Sequence, residues 1–461
     1  MVQTSEGWSI VFTMERLHFW HRCIACQKQH PADRFHYTCP SCGGLLLVQR
    51  DEDYVKKVVG TGKTAQKHFD NLRFGQDRKK YPNDSGVWLW RDFLLPGFPE
   101  SEIVALKEGQ TDLFEVPGWL KDELGFKNLF IKLEGQAPSE SFKDRGMPVA
   151  ISDALRLKHT YPQLGTKGVC CASTGDTSAS AAIYSAYVRN EISCLVLVPN
   201  NKISDSQLFQ AMAHGAVVRA IDHRDGFDGC MRIVAEFTSR HPEFILVNSK
   251  NDMRLTGQES IGLEILQDLS WKAPDWISIP IGNGGNLTAL LISLLRAKQF
   301  GLIDKLPGVI GAQTAAADTL VRWSESNYTA YRPGKYKKTV ASAMNINDPV
   351  SFPRIQNLIG EFDIHFYRSS EAEILSTWAR FTRSGANICP QGAVALHAAI
   401  QARQTGVIEP TDVVVSISTA SAIKFTEAGI AYHKNGAKRA YANPYVKVNG
   451  TIQSLEKSLE S

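Results

Sequence analysis

The sequence predicts an α/β protein: two parallel sheets with a cleft between them, preceded by a small cysteine-bearing extension. Three observations carry that expectation. Short apolar runs recur from Lys107 onward, namely NLFIKL (128–133), GVCCAS (168–173), SCLVLVP (193–199), AVVRAI (216–221), FILVNS (244–249), WISIPI (276–281), GVIGAQ (308–313) and VVVSIS (413–418). Helical patterns separate most of them, and strands apolar on both faces belong to parallel sheets covered on both sides. The length of 461 residues exceeds one small core and accommodates two such units with chain to spare.

Composition narrows the function classes. Apolar residues make up 43% and charged residues 21%, ordinary values for a globular chain. The net charge of +4 is spread among interspersed acids and bases, with no basic tract of the kind that grips nucleic acid. No apolar run is long enough to span a bilayer, so no membrane partner is expected. The first twenty residues lack the pattern of a secretory signal, and Met14 offers a second candidate start. Nine cysteines, four in CxxC pairs and the rest scattered, suggest metal binding plus reduced thiols in the cytoplasm rather than a disulfide framework.

The N-terminal extension runs over residues 1–105 and holds a zinc-ribbon-like segment at 20–48. Cys23, Cys26, Cys39 and Cys42 form CxxC-x12-CxxC, followed by Gly43-Gly44. Two such knuckles turn four thiolates toward one point, the donor set of a structural zinc with no open position for catalysis. The alternative is a metal-free relic whose thiols pack as small apolar groups.

Three later segments carry chemistry. In EGQAPSESFKDRGMPVAISDAL (134–155), Lys143 follows a loop and opens a helical pattern between Phe142 and Met147. Desolvation there would lower its proton affinity, as a Schiff-base amine requires; a surface lysine paired with Asp144 is the plainer reading of this segment alone. CCASTGDTSASAAIYSAYV (170–188) leads a strand into Ser173, Thr174 and Thr177 at a helix start, a ready carboxylate site. WISIPIGNGGNLTALLISLL (276–295) leads a strand through Gly282, Asn283, Gly284, Gly285 and Asn286 into an apolar helix, a setting that suits a phosphate.

In this order the three segments resemble those of the threonine synthases, pyridoxal 5'-phosphate (PLP) enzymes of fold type II, the tryptophan-synthase-β-like family. KYPNDSGVWLWRDFLLP (80–96), LKEGQTDLFEVP (106–117), NSKNDMRLTGQES (248–260), ICPQGAVAL (388–396) and STASAIKF (418–425) extend the likeness from about Lys80 to about His433. It is closest to the plant-type members, while the CxxC pairs look archaeal. The resemblance implies a large PLP-binding domain (106–147 and 255–440), a small α/β domain (148–254) and a tail (441–461). It implies that Lys143 forms the Schiff base with PLP and shuttles protons, and that Gly282, Asn283, Gly284, Gly285 and Asn286 hold the cofactor phosphate. Asp176 would meet the ring hydroxyl and Thr419 the pyridine nitrogen. Ser173, Thr174 and Thr177 would take the substrate carboxylate. Asn248 and Arg254 would take the substrate phosphate, with Lys202 a weaker candidate.

The implied reaction converts O-phospho-L-homoserine and water to L-threonine and phosphate by γ-elimination and β-replacement. The implied partner is a small phosphorylated amino acid, and relatives that pair carry over the expectation of a homodimer. At four positions the chain departs from the family pattern: Glu140 replaces a Gly, Ser421 and Gln391 each replace a His, and Asn347 replaces a Gly. These keep other readings open. They are a cysteate synthase using O-phosphoserine and sulfite, a threonine or serine dehydratase, or a non-catalytic PLP-fold protein that docks through its ribbon.

Overall fold

The computed structural model describes residues 2–4, 7–9, 16–173, 175–200, 205–224, 226–334, 337–434 and 439–459. The larger sheet has six strands in the order Ile364–Ser369, Gly308–Thr314, Trp276–Pro280, Val413–Ser418, Asn128–Leu133 and Leu113–Glu115. Every neighbouring pair in it is parallel except the last. The smaller sheet has four parallel strands, Val217–Ile221, Ser193–Pro199, Gly168–Ala172 and Phe244–Leu246. The expected α/β architecture with two parallel sheets is therefore the one the chain adopts.

Burial follows the sequence pattern. Every residue of Gly168–Ala172 and of Trp276–Pro280 is buried, because helices cover both sheet faces. The cysteine-bearing segment instead forms a three-stranded antiparallel sheet in the order Gln29–His30, Phe19–Cys23, Leu46–Arg50. Its two longer strands alternate buried residues with half-buried or exposed ones, as strands packed on one face do, Arg22 being the exposed one.

The N-terminal extension is packed into the body of the large sheet's domain. Phe69, Trp88, Trp90, Phe93 and Phe98 share one apolar core with Ile277, Ile279, Leu290 and Val415 of the sheet and its covering helices. Large aromatic side chains of this kind dominate core energetics. Among the described residues no helix is long and apolar enough to cross a membrane.

Candidate active site

Three adjacent strands of the six-stranded sheet, Trp276–Pro280, Val413–Ser418 and Asn128–Leu133, end on the same edge. The chain leaving each one contributes to a single cleft: the Gly282–Asn286 loop, Thr419, and the loop to Lys143. Open parallel sheets place ligands at the carboxyl ends of their strands for this reason.

Lys143 is the first residue of the Lys143–Thr160 helix. Its loop is stitched to the strand end beside it. The Phe142 N–H donates to Thr419 O at 2.9 Å and the Ser421 N–H to Glu140 O at 3.1 Å, with a bridge between Ser141 and Ala420. Below the lysine, the buried Asp144 carboxylate accepts from the Ser139 N–H at 2.5 Å and from the Ser139 and Ser180 hydroxyls at 2.6 Å each. The next residue, Arg145, is fully buried and forks onto two carboxylates, reaching Glu134 and Glu264 at 2.7 Å each. The helix start is thus fixed by charge-assisted bonds on both sides of the lysine loop.

The Lys143 amine lies 3.8 Å from the centroid of the Phe142 ring. Burial, reinforced by the positive charges of Arg254 and Lys424 and opposed by Asp176, lowers its pKa to about 7. The amine is therefore part neutral near pH 7, the form that can attack a carbonyl or accept a proton.

The glycine loop faces it. A Cβ on Gly282 would lie 2.6 Å from Ala343 O, and one on Gly284, at φ +78°, would lie 2.6 Å from Ile355 Cδ1. The helix Gly285–Gln299 begins with no side-chain cap, so its first N–H groups are available to an anion. Asn286 is buried with both amide atoms unpartnered. Arg254 is buried too, donates from Nη1 to Val247 O at 2.6 Å, and leaves Nε unpartnered; burial lowers its pKa to about 10. The amide of Gln391 and Oε1 of Gln258 are likewise unpartnered. Phe142, Ser249, Leu255 and Met344 are also among the lining of a cleft that encloses about 650 Å³ including its open mouth.

Of the residues singled out from sequence, Lys143, Arg254, Gly282, Asn283, Gly284, Gly285, Asn286 and Thr419 line this cleft. Four others do not. The Asn248 amide is engaged with the backbone of Ala172, at 3.0 and 2.8 Å. The Ser173 hydroxyl accepts from the Gly175 N–H at 3.1 Å, and Thr177 stands half-buried in the first turn of the Asp176–Tyr187 helix. Asp176 pairs with Lys424 at 2.9 Å. Thr174 and Lys202 lie outside the described residues. Ser249 and Gln258 were not singled out. Ser249 follows Asn248 directly, and Gln258 lies one turn beyond Arg254 on the same helix face, so the spacing held the signal.

These residues fit a phosphorylated aldehyde cofactor. They supply an amine of lowered proton affinity, an open helix start with two tight glycines, an unpartnered buried Asn, and a neutral hydroxyl at Thr419. The cysteines also converge. All four sulfurs lie within 4.8 Å of one another, with Cys23–Cys42 at 3.5 Å and Cys26–Cys39 at 3.6 Å. A tetrahedral zinc with sulfur bonds near 2.3 Å sets its sulfurs about 3.8 Å apart. A Cβ on Gly44 would lie 2.8 Å from the Cys23 sulfur, so a larger residue there must displace that sulfur.

Residues 104–420 match the family model described as pyridoxal-phosphate dependent enzyme. Threonine synthase 2, chloroplastic, of Arabidopsis thaliana is 38% identical over 433 residues, 93% of this chain and 81% of that protein. Threonine synthase of Methanocaldococcus jannaschii is 34% identical over 410 residues, 89% of this chain and 94% of that protein. The crystal structure of threonine synthase from Escherichia coli superposes with a TM-score of 0.65 at 19% identity, covering 96% of this chain and 99% of that one.

Proposed function

The chain belongs to the pyridoxal-phosphate dependent enzymes and, among them, to the threonine synthases; it is a carbon–oxygen lyase converting O-phospho-L-homoserine and water to L-threonine and phosphate, and we propose that Lys143, Arg254 and the Gly282–Asn286 loop carry that reaction. The cysteate synthase, dehydratase and non-catalytic alternatives give way to this reading. The observation that carries the division of roles is the single cleft. It sets an amine of lowered pKa against a glycine-rich helix start on one side and a buried, under-bonded arginine on another.

PLP, when bound, supplies an electron sink for the charge that develops beside the substrate's reacting carbons. The Gly282–Asn286 loop, the start of its helix and the Asn286 amide would hold the cofactor phosphate. Thr419 would stand at the ring nitrogen with a neutral hydroxyl, whose partner within reach is the Cys389 thiol at 3.6 Å. Lys143, once neutral, removes the proton at Cα and then one at Cβ. It returns one proton to Cγ after phosphate has left, making the methyl group, and one to Cα after the hydroxyl of water has added at Cβ and the water's other proton has gone to the departing phosphate. Arg254 binds the phosphate of the substrate through its unfilled donors and keeps hold of it as the bond at Cγ breaks. Ser249 and Gln258 border the same wall. Ser173 and Thr177, at the start of the Asp176–Tyr187 helix, would receive the substrate carboxylate, a role the resemblance also gives to Thr174, and Asn248 would support the turn beside Arg254. In this reading Lys424 balances Asp176, so that the carboxylate can stand near an anionic ring oxygen.

Cys23, Cys26, Cys39 and Cys42 would hold a structural zinc. The same reading divides the chain into the extension 1–105, the large domain 106–147 with 255–440, and the small domain 148–254. All nine cysteines are free of disulfides, which supports a reducing, cytoplasmic setting, and a homodimer is the expected assembly.

The test is to incubate the purified holoenzyme with O-phospho-L-homoserine and measure phosphate and threonine together. Equal release supports the reading. Phosphate without threonine overturns it.

A further inference from the structure

Three buried polar links join the cysteine ribbon to the wall of the cleft that carries Arg254. Arg354 donates from Nη2 to Leu46 O at 2.6 Å and to Lys250 O at 3.0 Å, and from Nη1 to Ser249 O at 3.4 Å. Leu46 opens a ribbon strand two residues past Gly44, and Ser249 lines the cleft. His21, on the facing ribbon strand, meets Asp252 at 2.7 Å, with side chains 2% and 1% exposed. Arg50, at the far end of the Leu46–Arg50 strand, meets Glu259 at 2.6 Å, next to the cleft residue Gln258.

Arg354 also reaches the opposite wall. It lies in the helix Phe352–Leu358, whose Ile355 fills the space over Gly284. The preceding Ser351 N–H donates to Asn283 O at 3.0 Å. One guanidinium therefore ties the ribbon to the 249–250 turn and, through its helix, to the glycine loop.

The element so held is short. Asp252–Gln258 has seven residues, and an isolated helix of that length has almost no stability of its own in water. Its position is set by what presses on it. On one side lies the lysine helix at glycine-only distance: a Cβ on Gly146 would lie 2.5 Å from Arg254 O, and one on Gly257 would lie 2.1 Å from Arg145 O. On the other side lies the ribbon. Burying three charged or polar pairs here is costly, and such pairs specify geometry better than they add stability.

We propose that the ribbon is a positioning module for the substrate-phosphate wall, with Arg354 and Asp252 as positioning residues that hold Ser249 and Arg254 against the glycine loop. The inference rests on Arg254 as the residue that binds the substrate phosphate. No residue of the ribbon lines the cleft. Its effect is on where the Arg254 guanidinium stands, and so on affinity for the phosphorylated substrate rather than on the proton transfers at Lys143.

The test compares three full-length holoenzymes, Arg354→Lys, Asp252→Asn and the reference Arg254→Lys. It measures kcat, the KM for O-phospho-L-homoserine, inhibition by inorganic phosphate, and cofactor absorbance. Lysine at 354 cannot span three carbonyls, and asparagine at 252 keeps a hydrogen bond to His21 without the charge. The expected result for both positioning variants is a rise of about tenfold in KM and in the phosphate inhibition constant, with kcat within about threefold and absorbance unchanged. KM and phosphate inhibition left at their original values in either folded variant, while Arg254→Lys shifts them, overturns the role of the ribbon alone. No shift in any of the three overturns the phosphate site as well. Should Arg354→Lys fail to fold, Asp252→Asn decides.

Discussion

Capture of PLP by the apoprotein, followed as a function of pH, measures the proton affinity of Lys143. Burial and two neighbouring cations place its pKa at about 7. At pH 7 about half of the amine is then neutral, against roughly one part in 2,500 for a solvated lysine with a pKa near 10.4. The rate of Schiff-base formation should rise about tenfold per pH unit below pH 7 and level off above about pH 8. A second assay reads the same property as stability, by comparing apoprotein with Lys143→Met in urea at several pH values. The lysine's folded pKa lies below its unfolded one, so its penalty is fully present below about pH 7. Between about pH 7 and pH 10.4 the unfolded chain keeps a proton that the folded chain has released, and stability relative to the variant rises with pH. The full span is at most about 5 kcal/mol, an upper figure because the half-buried side chain meets water in the cleft. A capture rate still climbing tenfold per unit between about pH 8 and 10, or a stability difference flat across that window, refutes the depressed amine.

Arg254→Ala should raise the KM for O-phospho-L-homoserine by about 10- to 100-fold, the loss of a charge-assisted bond, with cofactor absorbance retained; steady-state kinetics check it. Arg145→Met should cost about 3–5 kcal/mol in urea unfolding, because it strands Glu134 and Glu264 in the interior, and a loss under about 1 kcal/mol would show that the fork adds little. Glu140 stands at φ +62° where the family pattern has glycine. Relief of about 1–2 kcal/mol of left-handed strain exceeds the added freedom of an unfolded glycine, so Glu140→Gly should raise the thermal midpoint and Glu140→Val lower it. Metal analysis of the purified chain should find one zinc, lost on Cys23→Ser, and Gly44→Val should lower both zinc content and the thermal midpoint.

Much of the fold was legible because most strands of the two parallel sheets are apolar runs with largely buried residues, the edge strand Val217–Ile221, which has no buried residue, being an exception. Asn128–Leu133, Ser193–Pro199 and Val413–Ser418 begin and end where their apolar runs do. Ile364–Ser369 escaped because it lies at the sheet edge and alternates polar with apolar residues, and Leu113–Glu115 because three residues carry no period. Lys143 and the glycine loop were legible as segments, since loop-to-helix junctions leave local traces. The partners of Arg145 were not. Next to a lysine and an aspartate it reads as a solvated charge, and only the fold brings Glu264 to it from 119 residues away. The same holds for Lys424 with Asp176, 248 residues apart, and for His21 with Asp252, 231 apart. Local chemistry is written locally; the pairs that set its electrostatics are written at distances no periodicity spans.

The four departures from the family pattern separate once the structure is known. Asn347 is buried away from the cleft and accepts from the Thr319 hydroxyl with its backbone oxygen at 2.6 Å and its side chain at 3.1 Å. Ser421 caps the short turn after it, accepting from the Ile423 N–H at 3.2 Å and from the Asn387 amide at 3.2 Å. Glu140 acts on the lysine loop through its backbone, holding Ser421 and turning at positive φ. Only Gln391 reaches the cleft, where its unpartnered amide shares the lining with Lys143 and Thr419. An amide there can donate and accept at any pH in the working range, whereas the histidine of the plant-type pattern changes charge near pH 6.5. Of these four departures, Gln391 alone therefore brings a changed side chain to the cleft, and it offers a polar contact whose strength does not titrate.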